Sequence, residues 1–204
     1  MGGFLFLTSA MSNSPAAGKP AAWTRGARRS LLRTRIFDVC GVAYRHPARA
    51  AEREFLVIDA ADWGIVVPVT EAGELVVVRQ FRFGIAALSW ELPGGIIEAD
   101  EEPVAAVQRE LREETGYVGR DARVLGVVHP NPAIFSNRCH VVLVEGARRV
   151  ADTAWDADEE IEIAERPIPE VQADARAGKI TDAFMLNALF LLEPWWRDRS
   201  ARGV

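Results

Sequence analysis

Cysteine is scarce in this chain of 204 residues, which carries only Cys40 and Cys139. Two thiols so far apart in sequence provide neither a disulfide framework nor the close spacing of a zinc site. We therefore expect a protein of a reducing compartment, the cytoplasm.

Long hydrophobic runs are lacking as well. The largely apolar run at residues 183–192 is about half the length that crosses a bilayer. The apolar run at residues 4–7 has no positive charge before it and is too short for a signal peptide. We expect no membrane-spanning segment and no membrane partner.

The chain also has no excess of positive charge. It carries 24 Lys and Arg against 29 Asp and Glu, a net charge of -5, which argues against general nucleic-acid binding. The charge is unevenly distributed, because residues 1–37 contain six basic side chains and no acidic one. Such an arm could bind nucleic acid or a membrane, but a solvated terminal tail is the more common explanation.

Hydrophobic residues make up 49% and charged residues 26% of the chain, as is typical of a globular protein with one main domain. Residues 9–30 are rich in Ser, Ala, Gly, Pro and Arg, so we expect residues 1–30 to form a flexible basic arm. β-Branched and aromatic residues then predict a small antiparallel β unit at residues 31–60, ahead of a main domain at residues 61–204.

The main domain alternates strand and helix patterns. Two apolar runs that flank a turn at residues 71–73 predict a hairpin. A loop with prolines, residues 129–138, separates two later strands, and the last helix is apolar enough for burial on several sides. The predicted strands are 63–70, 74–81, 89–92, 122–128, 140–144 and 161–165, and the predicted helices lie near 103–115, 169–177 and 182–195.

A glycine turn precedes the first of these helices. Pro93, Gly94 and Gly95 cannot extend a helix or a regular strand, so WELPGG predicts a strand that ends in a tight turn open to a ligand. Pro103 suits the first helical position, and Gly116 is a suitable stop.

Acidic residues dominate this helix. Glu101 and Glu102 predict an acidic first turn. Glu110, Glu113 and Glu114 are spaced so that their carboxylates point from one helix face, where they repel one another unless a positive group lies between them. Mg²⁺ prefers oxygen ligands and commonly bridges substrate phosphates. The pattern indicates a metal site for a pyrophosphate, with a solvated acidic face as the alternative.

Residues 95–117, GIIEADEEPVAAVQRELREETGY, resemble the Nudix box at every fixed position, although Tyr117 stands where the family usually has an aliphatic residue. The resemblance implies an α/β fold, the Nudix α/β/α sandwich with a mixed β-sheet, here preceded by the small N-terminal antiparallel β unit. It also implies an enzyme that hydrolyses nucleoside diphosphates linked to another moiety, with Mg²⁺ or Mn²⁺.

The resemblance further implies roles for single residues of the box. Glu110 and Glu114 would be the main metal ligands, with Glu113 and the Gly94 carbonyl contributing. Arg109 would serve the catalytic site by orienting the box rather than by touching the substrate.

Other runs, VVVRQFRFG, WELPGGIIE, HPNPAIFSNRCH and GKITDA, look like the ADP-ribose pyrophosphatase branch and its nucleoside diphosphate sugar relatives. Such enzymes release a nucleoside monophosphate and a sugar phosphate. In this branch Arg82 would bind the substrate phosphates, because a planar guanidinium suits phosphate, and a surface arginine is the alternative. Arg79 in the same run and Pro132, which matches the proline that marks the group, are further substrate-binding candidates.

The resemblance places a general base in the acidic loop at residues 156–160. Glu159 is the first choice, Glu160 the second, and Glu113 of the box is the rival candidate. The branch usually works as a homodimer in which the N-terminal strands pack across the partner, so residues 31–60 are expected to dimerise.

Two other functions stay open. One is a Nudix pyrophosphohydrolase of dinucleoside polyphosphates or capped RNA, for which the basic arm would be useful. The other is a non-catalytic module that senses ADP-ribose, although a pure sensor has no need for the complete set of carboxylates.

Overall fold

The computed structural model describes residues 19–49, 51–155 and 160–201. Their strands form two sheets, one of three strands and one of seven. The strands are β1 (Thr24–Arg33), β2 (Phe37–Arg45), β3 (Glu52–Ala60), β4 (Trp63–Thr70), β5 (Glu74–Arg82), β6 (Ala87–Glu91), β7 (Gly94–Ile96), β8 (Tyr117–Val128), β9 (Cys139–Arg149) and β10 (Glu162–Pro167), and the helices are α1 (Pro103–Thr115), α2 (Ile168–Arg176) and α3 (Ala183–Ala201).

The three-stranded sheet comes first in the chain and is antiparallel throughout, in the order β1-β2-β3. Its first strand begins at Thr24, ahead of the expected boundary at residue 31, so the end of the predicted basic arm is strand. The side chains of β1 are exposed. Backbone pairing with β2, in which Thr24 lies opposite Arg45, orders this basic segment, and composition alone does not signal such pairing.

The third strand joins this sheet to the main domain. The Ile58 N–H donates to the Ile134 carbonyl at 2.7 Å, and the Ser136 N–H donates to the Ile58 carbonyl at 3.0 Å. The Ser136 hydroxyl also donates to Asp59 at 2.6 Å. The N-terminal sheet therefore rests against the loop that contains Pro132.

The main sheet is mixed. Its strand order is β10-β5-β4-β9-β8, with β6 paired to β5 and β7 paired to β4. The central pair β4 and β9 is parallel, whereas the other pairs are antiparallel. Both central strands are nearly continuous apolar runs, as expected for strands that are buried on both faces.

Helices cover both faces of this sheet. Neighbouring residues of β4 point in opposite directions, so Val66 packs with Val107 and Leu111 of α1, whereas Val67 packs with Met185 of α3 on the other side. Buried residues of α2 pack on the same side as Val67 and Met185. The resulting α/β/α sandwich with a mixed sheet is the predicted architecture.

Helix α1 has the predicted ends but not the predicted first turn. It begins at Pro103 and stops at Gly116, whose φ of 74° is left-handed and suits glycine. Glu102 is the residue before the helix, and the first turn contains no acidic residue. The prediction of an acidic first turn is therefore wrong. Glu101 lies before the helix, where it can contact other residues.

Helix α3 is buried on one side only, contrary to expectation. Met185 and Leu192 are buried against the sheet, whereas Phe190 is 73% exposed. The sheet covers one face of the helix and nothing in the described part of the chain covers Phe190. None of the helices within the described ranges combines the length and the apolar character that a membrane crossing requires.

Candidate active site

The glycine turn, residues 93–95, runs into the short strand β7, which pairs with β4. Gly94 and Gly95 are part of that strand, so the prediction that they cannot extend a strand is wrong. Gly94 is opposite Ile65, and Gly95 is opposite Gly64. A Cβ on Gly94 would lie 2.3 Å from the carbonyl oxygen of Gly64, and a Cβ on Gly95 would lie 2.5 Å from the carboxyl carbon of Glu110. Both positions need glycine, the first for the close approach of two strands and the second for the close approach of a carboxylate.

Two carboxylates of α1 converge on this turn. Glu110 packs against Gly95, and Glu114 accepts a hydrogen bond from the Gly94 N–H at 2.9 Å. Glu114 is buried, whereas the side chain of Glu113 is 46% exposed. Glu110 and Glu114, which lie four residues apart on the helix, therefore face the glycine turn, whereas Glu113 lies nearer to solvent.

Arg109 lies between the carboxylates. Its Nη1 donates to Glu110 at 2.8 Å and to Glu113 at 3.1 Å. Its Nε and Nη2 both donate to the Glu101 carboxylate at 3.1 Å. These bonds, chiefly the pair with Glu101, raise the pKa of Arg109 and lower the pKa of Glu101. The guanidinium of Arg109 is therefore a positive group that reduces the repulsion between the carboxylates of Glu110 and Glu113.

A divalent cation is suited to this corner by the type of donor present. Within the described ranges, no three His, Cys, Asp or Glu side chains already stand close enough to hold a metal ion. Carboxylate oxygens are the ligands that Mg²⁺ and Mn²⁺ prefer. Glu110 and Glu114 place such oxygens at the glycine turn, and Glu113 lies nearer to solvent on the same helix. A bound cation would compete with Arg109 for Glu110 and Glu113, because their oxygens contact its guanidinium.

A cavity of about 460 Å³ opens beside the glycine turn. Gly94 lines its edge, and Trp63, Arg82, Glu91 and Asp182 line its walls. These residues come from β4, the end of β5, β6 and the start of α3. The volume falls in the range of small-molecule sites, and the walls combine aromatic and charged groups, as ligand sites usually do.

Arg82 is bound to Glu91 inside this cavity. The Arg82 Nε lies 2.9 and 3.0 Å from the two carboxylate oxygens of Glu91, and Nη2 lies 2.5 Å from one of them. This pairing raises the pKa of Arg82. Burial raises the pKa of Asp182, which also accepts a hydrogen bond from the Met185 N–H at 2.7 Å and so caps α3.

The other two substrate-binding candidates lie elsewhere. Arg79 pairs with Glu162 at 3.3 Å and stacks on the ring of Trp90. Since side chains alternate along a strand, residues three apart on β5 point to opposite faces, and Arg79 cannot follow Arg82 into the cavity. Pro132 lines a separate cavity of about 290 Å³ beside the N-terminal sheet. Of the three candidates, the structure brings only Arg82 to the glycine turn.

A family model described as the NUDIX domain matches residues 60–184 of this chain. The matched range exceeds half of the chain and contains the glycine turn, α1 and Arg82. The chain belongs to the NUDIX domain family.

Several Nudix relatives can be named. The ADP-ribose pyrophosphatase of Bacillus subtilis (strain 168) is 29% identical over 129 residues, which cover 63% of this chain and 70% of the relative. The ADP-sugar pyrophosphatase of Mus musculus is 38% identical over 89 residues, 42% of this chain and 41% of the relative. The GDP-mannose pyrophosphatase of Cronobacter sakazakii (strain ATCC BAA-894) is 31% identical over 121 residues, 55% of this chain and 63% of the relative.

The chain thus spans less than two thirds of the length of the second and third of these relatives. A crystal structure of an ADP compounds hydrolase shares the fold with a TM-score of 0.76 at 20% identity, over 89% of this chain and 98% of that one. The predicted Nudix fold, the resemblance to the ADP-ribose pyrophosphatase branch and the prediction of a Nudix hydrolase are confirmed.

The acidic loop is only partly described. Glu159, the first choice for the general base, lies outside the described residues, whereas Glu160 is described and exposed. Just before the loop, the indole N–H of Trp155 donates to the carbonyl of Glu114 at 2.7 Å, and the Ala154 N–H donates to the carbonyl of Glu113 at 2.8 Å. The segment that leads into the loop is therefore fixed to the end of the Nudix helix.

Sequence reasoning missed three residues of this site. Glu91 had a signal, because a charged residue inside a strand that reads as buried needs a partner. Asp182 reads as an ordinary helix cap, and nothing local indicates that it lines a cavity. Trp155 gives no local signal either, because its partner is a backbone carbonyl.

Proposed function

We propose that the chain hydrolyses the pyrophosphate of ADP-ribose or a related nucleoside diphosphate sugar to a nucleoside monophosphate and a sugar phosphate. One observation carries the proposal: the cavity that contains Arg82 opens at Gly94, the residue that holds Glu114. A diphosphate at this edge would have the guanidinium on one side and the carboxylates of the Nudix helix on the other. The names of the relatives point to the same class of substrate.

The cation in this proposal is Mg²⁺ or Mn²⁺. Its ligands are Glu110 and Glu114, with Glu113 and the Gly94 carbonyl contributing. A bound divalent cation would neutralise negative charge on the pyrophosphate. Arg109 keeps Glu110 and Glu113 in place and is itself held by two bonds to Glu101, which agrees with an orienting role.

The general base in this proposal accepts a proton from the attacking water. Glu159 is the first choice, Glu160 the second and Glu113 the third. Glu113 is half exposed and shares Arg109 with Glu110. Turnover of Glu159→Gln compared with Glu160→Gln separates the two loop candidates, and normal turnover in both assigns the role to Glu113.

The experiment is a panel assay. Phosphate release after a coupled phosphatase is measured for ADP-ribose, GDP-mannose, ADP-glucose, a dinucleoside polyphosphate and a capped RNA, with Mg²⁺ and with Mn²⁺. We expect the highest kcat/KM for a nucleotide sugar. Preference for the last two substrates would favour the alternative pyrophosphohydrolase, and binding of ADP-ribose without cleavage would favour the sensing module.

We further propose that the protein is a homodimer formed through the N-terminal β unit. The N-terminal β unit leaves large apolar side chains exposed to solvent. They are Leu31, Leu32, Ile36, Phe55 and Leu56. Such a set is more apolar than a free surface needs, and a second copy would cover it. A monomeric mass by light scattering would contradict the dimer.

A further inference from the structure

Glu91 is a buried carboxylate within a ligand cavity. Its side chain is only 7% exposed, whereas that of its partner Arg82 is 40% exposed. A carboxylate so far from water is stable as an anion only when it is paired and hydrogen-bonded. Arg82 supplies that pairing through two of its nitrogens.

The geometry of the pair leaves a defined part of Arg82 for a ligand. A guanidinium has five N–H donors in a rigid plane. Glu91 takes the edge formed by Nε and Nη2, which is the buried side of the pair. The Nη1 group and the outer N–H of Nη2 form the opposite edge of the fork, which Glu91 does not occupy. Both residues line the cavity.

We propose that Glu91 is a positioning residue that holds Arg82 by one edge, so that the opposite edge binds the diphosphate of the substrate. This inference rests on the proposed function, because it concerns how that substrate is bound. Hairpin β5–β6 brings the two residues together, since Arg82 ends one strand and Glu91 ends the next. A flexible arginine would lose side-chain entropy on binding phosphate, and an arginine already fixed by Glu91 loses less.

Asp182 makes the fixed orientation more important. It lines the same cavity as Arg82 and Glu91, and its carboxylate is a second acceptor for an unrestrained guanidinium. With its Nε edge bound to Glu91, Arg82 cannot turn that edge toward Asp182. The donors of the opposite edge are then the ones that a ligand in the cavity would meet.

The test is a double-mutant cycle with ADP-ribose as the substrate. Glu91→Gln keeps the size of the side chain but replaces one acceptor oxygen with an amide that clashes with the N–H groups of Arg82. We expect KM to rise roughly tenfold or more, as for the loss of a hydrogen bond to a charged group, with kcat changed little. In an Arg82→Ala background, Glu91→Gln should have no further effect on KM.

Glu145→Gln is the matched control. It removes the carboxylate partner of Arg123, a pair with an N–O distance of 2.7 Å away from the cavity, and KM should stay unchanged. Thermal melting of every variant separates lost stability from lost binding.

An unchanged KM in Glu91→Gln, or an equal rise of KM in the wild-type and Arg82→Ala backgrounds, would overturn the positioning role. If the wild-type protein cleaves ADP-ribose and either of these results is found, this inference is refuted and the proposed function is not. A wild-type protein that cleaves none of the nucleotide sugars in the panel refutes the proposed function, and the inference with it.

Discussion

Substituting Gly95 by alanine should reduce activity strongly and leave the fold intact. The added Cβ would lie 2.5 Å from the carboxyl carbon of Glu110, whereas ordinary van der Waals contact begins at 3.4 Å, so the carboxylate must move by the difference, about 0.9 Å. The nearest atoms are the end of a flexible side chain, and the φ of Gly95 is not positive, so the backbone accepts alanine. The displacement therefore affects the site and not the core.

The expected loss follows from the size of that displacement. A shift of about 1 Å in a group that positions reacting atoms can cost on the order of 10²-fold in rate. The assay is kcat with ADP-ribose at saturating Mg²⁺, together with a thermal melt. We expect kcat to fall by on the order of 10² and the melting temperature to stay close to that of the wild type.

Gly94→Ala is the matched control for this prediction. Its Cβ would lie 2.3 Å from the carbonyl oxygen of Gly64 and 2.8 Å from the Cα of Ile65, and both are backbone atoms of β4 that cannot move aside. We expect destabilisation of about 1–3 kcal/mol, as for an overpacked core. Full activity in Gly95→Ala would refute the role of Glu110, and equal destabilisation by both substitutions would refute the distinction between the two glycines.

Three further changes give distinct outcomes. Glu114→Gln keeps an acceptor for the Gly94 N–H and should still reduce turnover by on the order of 10²; near-normal turnover at saturating Mg²⁺ would contradict its metal role. Trp155→Phe removes the donor to the Glu114 carbonyl, worth about 1 kcal/mol, and should raise the Mg²⁺ concentration for half-maximal activity by roughly fivefold; an unchanged Mg²⁺ titration would contradict this. Burial raises the pKa of Asp182 above its ordinary 3.8. The folded wild-type protein therefore loses stability as pH rises from that ordinary value through the raised one. Asp182→Asn has no such carboxyl group, so its stability should increase relative to that of the wild type as pH rises. Parallel melting curves across pH would refute this last prediction.

The parts of the structure that depend on local signals could be predicted. Proline and glycine mark the ends of the Nudix helix, and β-branched runs mark the hairpin of β4 and β5, because each signal acts within a few residues. The spacing of Glu110 and Glu114 correctly indicates that both carboxylates face one way. Their target, the glycine turn, follows from the Nudix resemblance and not from periodicity.

The parts that depend on contacts between distant segments could not be predicted. Arg79 and Arg82 are the same residue type in the same strand, and only the face of β5 on which each side chain lies determines that Arg82 lines the cavity and Arg79 does not. The cavity needs α3, which lies far along the chain, and no local pattern links Asp182 to Arg82. The strand at Thr24 forms because β2 is there to pair with it, although its basic composition favours an arm.

The positions of Glu110 and Glu114 are set by the sheet as much as by the helix. Glu114 is held by the Gly94 N–H, and Gly94 is held opposite Ile65 by the pairing of β7 with β4. Helix α1 itself packs on β4 at Gly64, where a Cβ would lie 2.4 Å from a methyl carbon of Val107. Because the same strand supports both the glycine turn and the helix, a change in β4 would move them together. The carboxylates and the turn that they face therefore keep their relative positions as long as this central strand keeps its place.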